Sequence, residues 1–366
     1  MTETWISADT IFDGEQLLPH HAILVGGGRV QAVRPASSVQ VQQHHVGILM
    51  PGFFDIQVNG GGGALLNTSP TVAGLTQIAA AHRALGTVAL MPTVITDAPE
   101  VLAQAVDAIC AVHGKLGIVG LHIEGPHLSR ARRGTHDPRY IRPMAKETMA
   151  LVRRLKSEGV PVLITVAPES VTPQQIAALV SAGAVVSLGH SDADAVTTRE
   201  AMAAGATGFT HLYNAMSPMQ HRAPGMTGAA IASDAWCSII ADGKHVDPAM
   251  VALACRARPH PDRMIAVSDA MATVGGPDTF TLYDQSIRLH DGMLINSEGA
   301  LAGAHLTMAE AVANLISYGI SPRDALRMGR HNPAQMMGIW DKMAMIGTRQ
   351  SDLILLDETF AFVGPL

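Results

Sequence analysis

Eight times along this 366-residue chain an apolar run of strand length ends in a short cluster of polar or ionisable residues. The runs are GFFDIQVNG (52–60), TVALMPTVIT (87–96), IVGLHIEGPH (118–127), PVLITVAPE (161–169), VVSLGHSD (185–192), GFTHLYNAM (208–216), CSIIADGKH (237–245) and MIAVSDAM (264–271). Helical patterns lie between them at 71–85, 99–113, 144–158, 174–182, 194–204 and 247–257, and beyond the last at 307–317. Strand alternating with helix implies parallel strands joined by right-handed crossovers, and eight such units imply closure. The expected fold is α/β, a (β/α)8 barrel of the TIM type. Such barrels carry their chemistry at the carboxyl ends of the strands, where these clusters fall.

Residues 1–48 alternate apolar and polar and are punctuated by Asp13-Gly14 and Gly26-Gly27-Gly28, which reads as short antiparallel strands and turns. The tail from Gly347 has the same strand character. One small β domain built from 1–48 and 340–366 is therefore expected beside a catalytic barrel spanning 49–339. Within the barrel, Thr172-Pro173 opens a helix and Gly183 closes it, an N-cap with proline at the first position and a glycine stop.

Composition excludes several classes of function. Only 15% of residues are charged, the formal net charge is −6, and the 25 basic residues form no long run, so the electrostatic footprint of a nucleic-acid binder is missing. No apolar stretch reaches 18 residues, which argues against a membrane span. Cys110, Cys237 and Cys255 are widely spaced and fit a reducing compartment, so a cytoplasmic location is expected. There is no G-x-S-x-G elbow and no phosphate-binding loop, and the glycines after Asn59 lack dinucleotide spacing.

The third, fifth and sixth clusters hold Glu124, His190 and His211, one carboxylate and two imidazoles. That donor set binds a divalent ion in catalytic sites with a position left open for water. Zn2+ is the first candidate, with Fe2+, Co2+ or Mn2+ as alternatives. Asp269 after the eighth run is the natural proton carrier between an attacking water and a leaving nitrogen. The first run ends in Gln57 and Asn59, where a two-metal barrel hydrolase would carry His-x-His, and the fourth has no lysine to bridge two ions. One metal per chain is therefore expected.

A second polar group comprises His136, Asn214, Ala215, His221, Arg222, Asp242, Gly243, Lys244 and His245. Arg222 and His245 read as an anion clamp for a phosphorylated small molecule, since a guanidinium binds phosphate as a fork and an imidazole adds a donor.

The strings PGFFDIQVNGGGG (51–63), HIEGPHLS (122–129), GTHDPRYIRP (134–143), LGHSDA (188–193), THLYNAM (210–216), HRAPGMTGA (221–229), ADGKHVD (241–247), VSDAMA (267–272) and GALAG (299–303) occur in this order. In them the chain resembles the N-acetylglucosamine-6-phosphate deacetylase family of the amidohydrolase superfamily over nearly its whole length. The resemblance implies a β-sandwich for the small domain of 1–48 and 340–366, a homodimer, and hydrolysis of the acetamide of N-acetyl-D-glucosamine 6-phosphate to D-glucosamine 6-phosphate and acetate. It places the metal on Glu124, His190 and His211, and the acid/base on Asp269. It places substrate contacts on Thr135, His136, Asn214, Ala215, Arg222, Asp242, Gly243, Lys244, His245, Leu301, Ala302 and Gly303, although Lys244 matches no family role. It further implies phosphate contacts from the neighbouring subunit, through Arg222 or His245. His136 is then expected to stabilise the developing oxyanion. The rival readings are another amidohydrolase acting on a different small substrate, a facial-triad iron oxygenase, and a non-catalytic barrel without metal.

Overall fold

The computed structural model describes residues 3–297 and 299–366. Each of the eight apolar runs coincides with one barrel strand, the seventh strand starting one residue early: β1 (Phe53–Val58), β2 (Thr87–Ile95), β3 (Leu121–Glu124), β4 (Val162–Val166), β5 (Val185–Leu188), β6 (Gly208–Phe209), β7 (Trp236–Ile239) and β8 (Met264–Ala266). They are parallel and follow one another in chain order around the sheet. A further parallel bridge between Val58 and Ala270 brings the first and last strands together. All nine residues of β2 are buried. A barrel strand faces packed side chains inside and helices outside, so its sequence is an unbroken apolar run rather than an alternation.

The helices between strands fall where the pattern places them. Helix Pro173–Ser181 opens with a reciprocal capping box, in which the Thr172 hydroxyl accepts from the Gln175 amide and the Gln175 side chain accepts from the Thr172 amide.

The two chain ends share a seven-stranded sheet. Strand Thr4–Phe12 pairs antiparallel with His21–Gly26, and strand Gln43–Pro51 pairs antiparallel with Leu353–Leu356. Thr4–Phe12 and Gln43–Pro51 are parallel neighbours, which corrects the expectation of antiparallel strands throughout this segment. The chain reverses at His21–Gly26 and again at Arg29–Pro35, and then crosses back to the far side of the first strand. Ile6, Ile11, Ile23, Leu49, Met345 and Leu353 form a separate small core there.

A third sheet follows β8 and was not foreseen: Thr279–Leu282, Gln285–His290, Met293–Ile295 and Leu301–Ala304, all antiparallel. Its hairpins turn at Tyr283-Asp284 and Asp291-Gly292, where every residue has positive φ. That is the backbone two-residue hairpins require, and Asp-Gly was a legible signal for it. Leu282, Ile287, Leu294 and Ala302 pack on Leu65, Ile95 and Met271 from the barrel mouth.

Candidate active site

β3 ends at Glu124, whose side chain faces the barrel interior with His122 two residues earlier on the same face. His190 and His211 follow the ends of β5 and β6. Glu124 Oε1 lies 3.1 Å from His190 Nε2 and 3.0 Å from His211 Nε2, and the two Nε2 atoms are 3.0 Å apart. All three residues are buried. His190 Nδ1 lies 2.9 Å from the Arg132 carbonyl, which orients the ring so that its Nε2 is aimed at the other two donors. Three converging donors of this kind, one anionic and two imidazole, fit a small divalent cation, and no other cluster of this type occurs among the described residues.

Burial alone would raise the Glu124 carboxyl. Hydrogen bonds and charge from His190 and His211 reverse that effect and hold it well below the usual carboxylate range. Burial likewise opposes protonation of His211, but Glu124 overrides it and the ring's pKa is raised.

Asp269 sits beyond the end of β8. Its Oδ1 accepts from Asn59 Nδ2 at 2.7 Å and from Gln57 Nε2 at 3.1 Å. Gln57 Nε2 also lies 3.3 Å from both Glu124 oxygens. Gln57 therefore bridges Asp269 and the Glu124 carboxylate, while Asn59 holds Asp269 alone. Burial, followed by the charge of Glu124, pushes Asp269 up to about 6. Beneath it, Asp55 accepts from the Ser268 hydroxyl and amide, and burial pushes its carboxyl up to about 7.

His190, His211, Tyr213, Ala215 and Asp269 all have positive φ. Left-handed backbone is uncommon outside glycine and clusters at functional sites, where surrounding contacts enforce it. Gly303 also has positive φ, and a Cβ there would stand 2.6 Å from the Met271 side chain and 3.1 Å from the Asp269 carbonyl. Only glycine lets that strand cross so close to Asp269.

His136 is buried with its ring centroid 4.4 Å from that of His190. Burial, reinforced by the histidines, lowers it to about 3, so the ring is neutral. Its Nδ1 accepts from the Thr96 amide at 3.3 Å, which fixes the proton on Nε2 and makes the ring a donor. His245 Nδ1 donates to Asp242 at 2.6 Å, and Asp242 also accepts from the amides of Lys244 and His245.

A cleft of about 360 Å³ opens over these groups. Glu124, His190, His211 and Asp269 line it with Thr135, His136, Asn214, Ala215, His245, Leu301 and Gly303. The remaining residues of the expected contact set stand back from it. Ala302 alternates with its neighbours on a strand and points into the small sheet's core. Asp242 and Gly243 act through the turn that presents His245, and Lys244 is exposed. Arg222 is exposed and does not line the cleft of a single chain. Four groups escaped the sequence reading of the site: Arg132, His122, Asp55 and Ser268. Only His122 carried a signal, its two-residue spacing from Glu124 on a strand.

Residues 48–364 match the model of the amidohydrolase family. The chain is 42% identical over 356 residues to N-acetylgalactosamine-6-phosphate deacetylase of Shewanella sp. (strain ANA-3), covering 93% of this chain and 89% of the relative. It is 31% identical to N-acetylglucosamine-6-phosphate deacetylase of Haemophilus influenzae, with 92% and 90% covered. The crystal structure of N-acetylglucosamine-6-phosphate deacetylase from Pasteurella multocida superposes with a TM-score of 0.92 at 31% identity, covering 100% of this chain and 98% of the other.

Proposed function

The chain belongs to the amidohydrolase family, and from that premise we propose that it hydrolyses the acetamide of an N-acetylhexosamine 6-phosphate in amino-sugar catabolism. N-acetyl-D-glucosamine 6-phosphate is the first reading of the substrate, with D-glucosamine 6-phosphate and acetate as products. The observation that carries the reading is the convergence of Glu124, His190 and His211 beside a tethered Asp269 at one barrel mouth. Membership of this family sets the triad to hydrolysis rather than oxygenation.

A divalent ion held by Glu124, His190 and His211, Zn2+ first and Fe2+, Co2+ or Mn2+ as alternatives, supplies a Lewis acid for the carbonyl and an acidified water. The protein's own part is proton management and positioning. Asp269 accepts a proton from the attacking water and delivers it to the amine nitrogen as the C–N bond breaks. Gln57 and Asn59 hold its carboxylate in one rotamer for both transfers. His136 donates from Nε2 to the oxygen on which negative charge develops. The buried Asn59 Oδ1 has no partner in the chain, which leaves it as an acceptor for a substrate hydroxyl or amide.

His245, oriented by Asp242, supplies a donor for the phosphate. Arg222 reaches that phosphate from the partner of a homodimer, which accounts for its distance from the cleft of its own chain. No helix of the described residues is long and apolar enough to cross a membrane. Three free cysteines suit a cytoplasmic enzyme.

The 42% identity to the N-acetylgalactosamine-6-phosphate enzyme, against 31% for its glucosamine counterpart, favours a second reading in which the 4-epimer is the better substrate. Acetate release from the two phosphorylated epimers and their unphosphorylated parents, measured with metal content per chain, tests both. The reading stands if there is about one metal per chain and both parents react far more slowly than the better phosphate ester. The ratio of kcat/KM between the epimers chooses the sugar. Absence of acetate release from all four would overturn it.

A further inference from the structure

The opposite mouth of the barrel holds a second cavity, of about 420 Å³. Val88 and Ala89 at the start of β2, Ile118 and Val119 before β3, and Pro161 before β4 line one side. The chain's late segment, residues 342–352, lines the other. Arg29, His113, Arg330, Lys342 and Arg349 all face this space, and Asp352 is the single carboxylate among its lining residues. Asp352 is already engaged by Arg83 at 2.8 Å. Among the described residues, no ion pair involves Arg29, Arg330, Lys342 or Arg349. A chain of net charge −6 thus concentrates four cations around one concavity, with the charge of Asp352 as the only carboxylate charge facing them.

Arg330 is the informative member. It is 3% exposed, and burial pushes its guanidinium down to about 10. Its Nη1 and Nη2 donate to the carbonyls of Gly52 and Met343, and its Nε has no partner. A buried cation that lacks a carboxylate and keeps a free donor is costly unless an anion completes it. Arg29 is fixed at the rim by a 2.6 Å bond to the Gly347 carbonyl. Lys342 and Arg349 stand exposed at the entrance.

We infer that this cavity is a second anion site, taking inorganic phosphate or the phosphoryl group of a phosphomonoester, at the end of the barrel remote from the carboxylate-histidine cleft. Arg330 is the buried anchor, and Lys342 and Arg349 close over the bound oxygens. The volume accommodates a group larger than phosphate itself, which makes a phosphorylated metabolite the natural occupant.

Equilibrium dialysis with inorganic phosphate, then with glucose 6-phosphate, tests the site in the wild-type chain and in the double variant Lys342→Gln, Arg349→Gln. Both residues are exposed, and equal melting temperatures check the fold. The variant should lose one bound anion per chain, or bind it at least about tenfold more weakly, as removal of charge-assisted hydrogen bonds predicts. Its kcat and KM for deacetylation should stay at wild-type values. Tighter binding of glucose 6-phosphate than of phosphate at this site identifies an organic phosphomonoester, and equal binding identifies free phosphate. Identical stoichiometry and affinity in the two proteins would overturn the inference. Because the readout is binding, the result stands whether or not the chain deacetylates amino-sugar phosphates.

Discussion

The two mouths of the barrel are built from the same eight strands and have opposite electrostatic designs. At the carboxyl ends, ionisable groups pair with one another: Glu124 with two imidazoles, Asp269 with two amides, His245 with Asp242. At the amino ends, cations gather around a cavity whose lone carboxylate is spoken for. The backbone differs too. His190, His211 and Asp269 leave their strands through left-handed residues, each costing about 1 kcal/mol or more, and the contacts of the site hold them there. The contrast teaches that charge in a cleft is not enough to mark catalysis. The mouth proposed for catalysis is the one where strained backbone, converging donors and a tethered buried carboxylate coincide.

Substitutions that separate the mouths sharpen this comparison. Asp269→Asn should lower kcat by about 10²- to 10⁴-fold, the range for a lost general acid/base, with metal content by elemental analysis unchanged. Retention of near-normal turnover would remove Asp269 from the reaction. His136→Ala should cost about 10²- to 10³-fold in kcat, again without loss of metal. A KM effect alone would make His136 a binding group instead.

Asn59→Ala removes a charge-assisted hydrogen bond and should cost about 10- to 100-fold in kcat/KM, measured in steady state. A comparable loss in Lys342→Gln would break the separation between the two mouths.

The smallest effect concerns stability rather than rate. His127 donates from Nδ1 to the Arg142 carbonyl at 3.0 Å, and its Nε2 lies 3.0 Å from the Thr148 hydroxyl; burial lowers it to about 4. Its folded pKa lies below the unfolded value of about 6.5, so the folded state binds fewer protons. The stability it contributes is complete above about 6.5 and lost as pH falls through 4, up to about 3 kcal/mol at pH 4. Thermal melts across that window should fall steeply for the wild type and less so for His127→Gln. Asp55, raised to about 7, runs the other way: its contribution is present at low pH and lost as pH rises from about 4 to 7.

The barrel was legible because burial on both faces writes each strand as a continuous apolar run, and because helices Val72–Arg83, Pro173–Ser181 and Met308–Ser317 announce themselves with Thr caps. The clustering of Glu124, His190 and His211 beside Asp269 was legible because strand ends converge in a barrel regardless of separation in sequence. The small antiparallel sheet at 279–304 was hidden by its position after the eighth strand, where a terminal helix was the natural continuation. The roles of Gln57 and Asn59 were hidden for a different reason. Amides read as weak ligands in a sequence, and only the fold shows that their donors point at two carboxylates. Asp55 and Ser268 interact across 213 residues, and no local pattern links them.

The left-handed residues at the mouth proposed for catalysis also limit what the site can become. Asn, Asp and His tolerate that backbone far better than branched or bulky residues do. At positions 190, 211 and 269 this backbone therefore favours imidazole, carboxylate and amide side chains over branched ones. Exchange among those donors in an engineered descendant keeps the site suited to metals that take nitrogen and oxygen ligands.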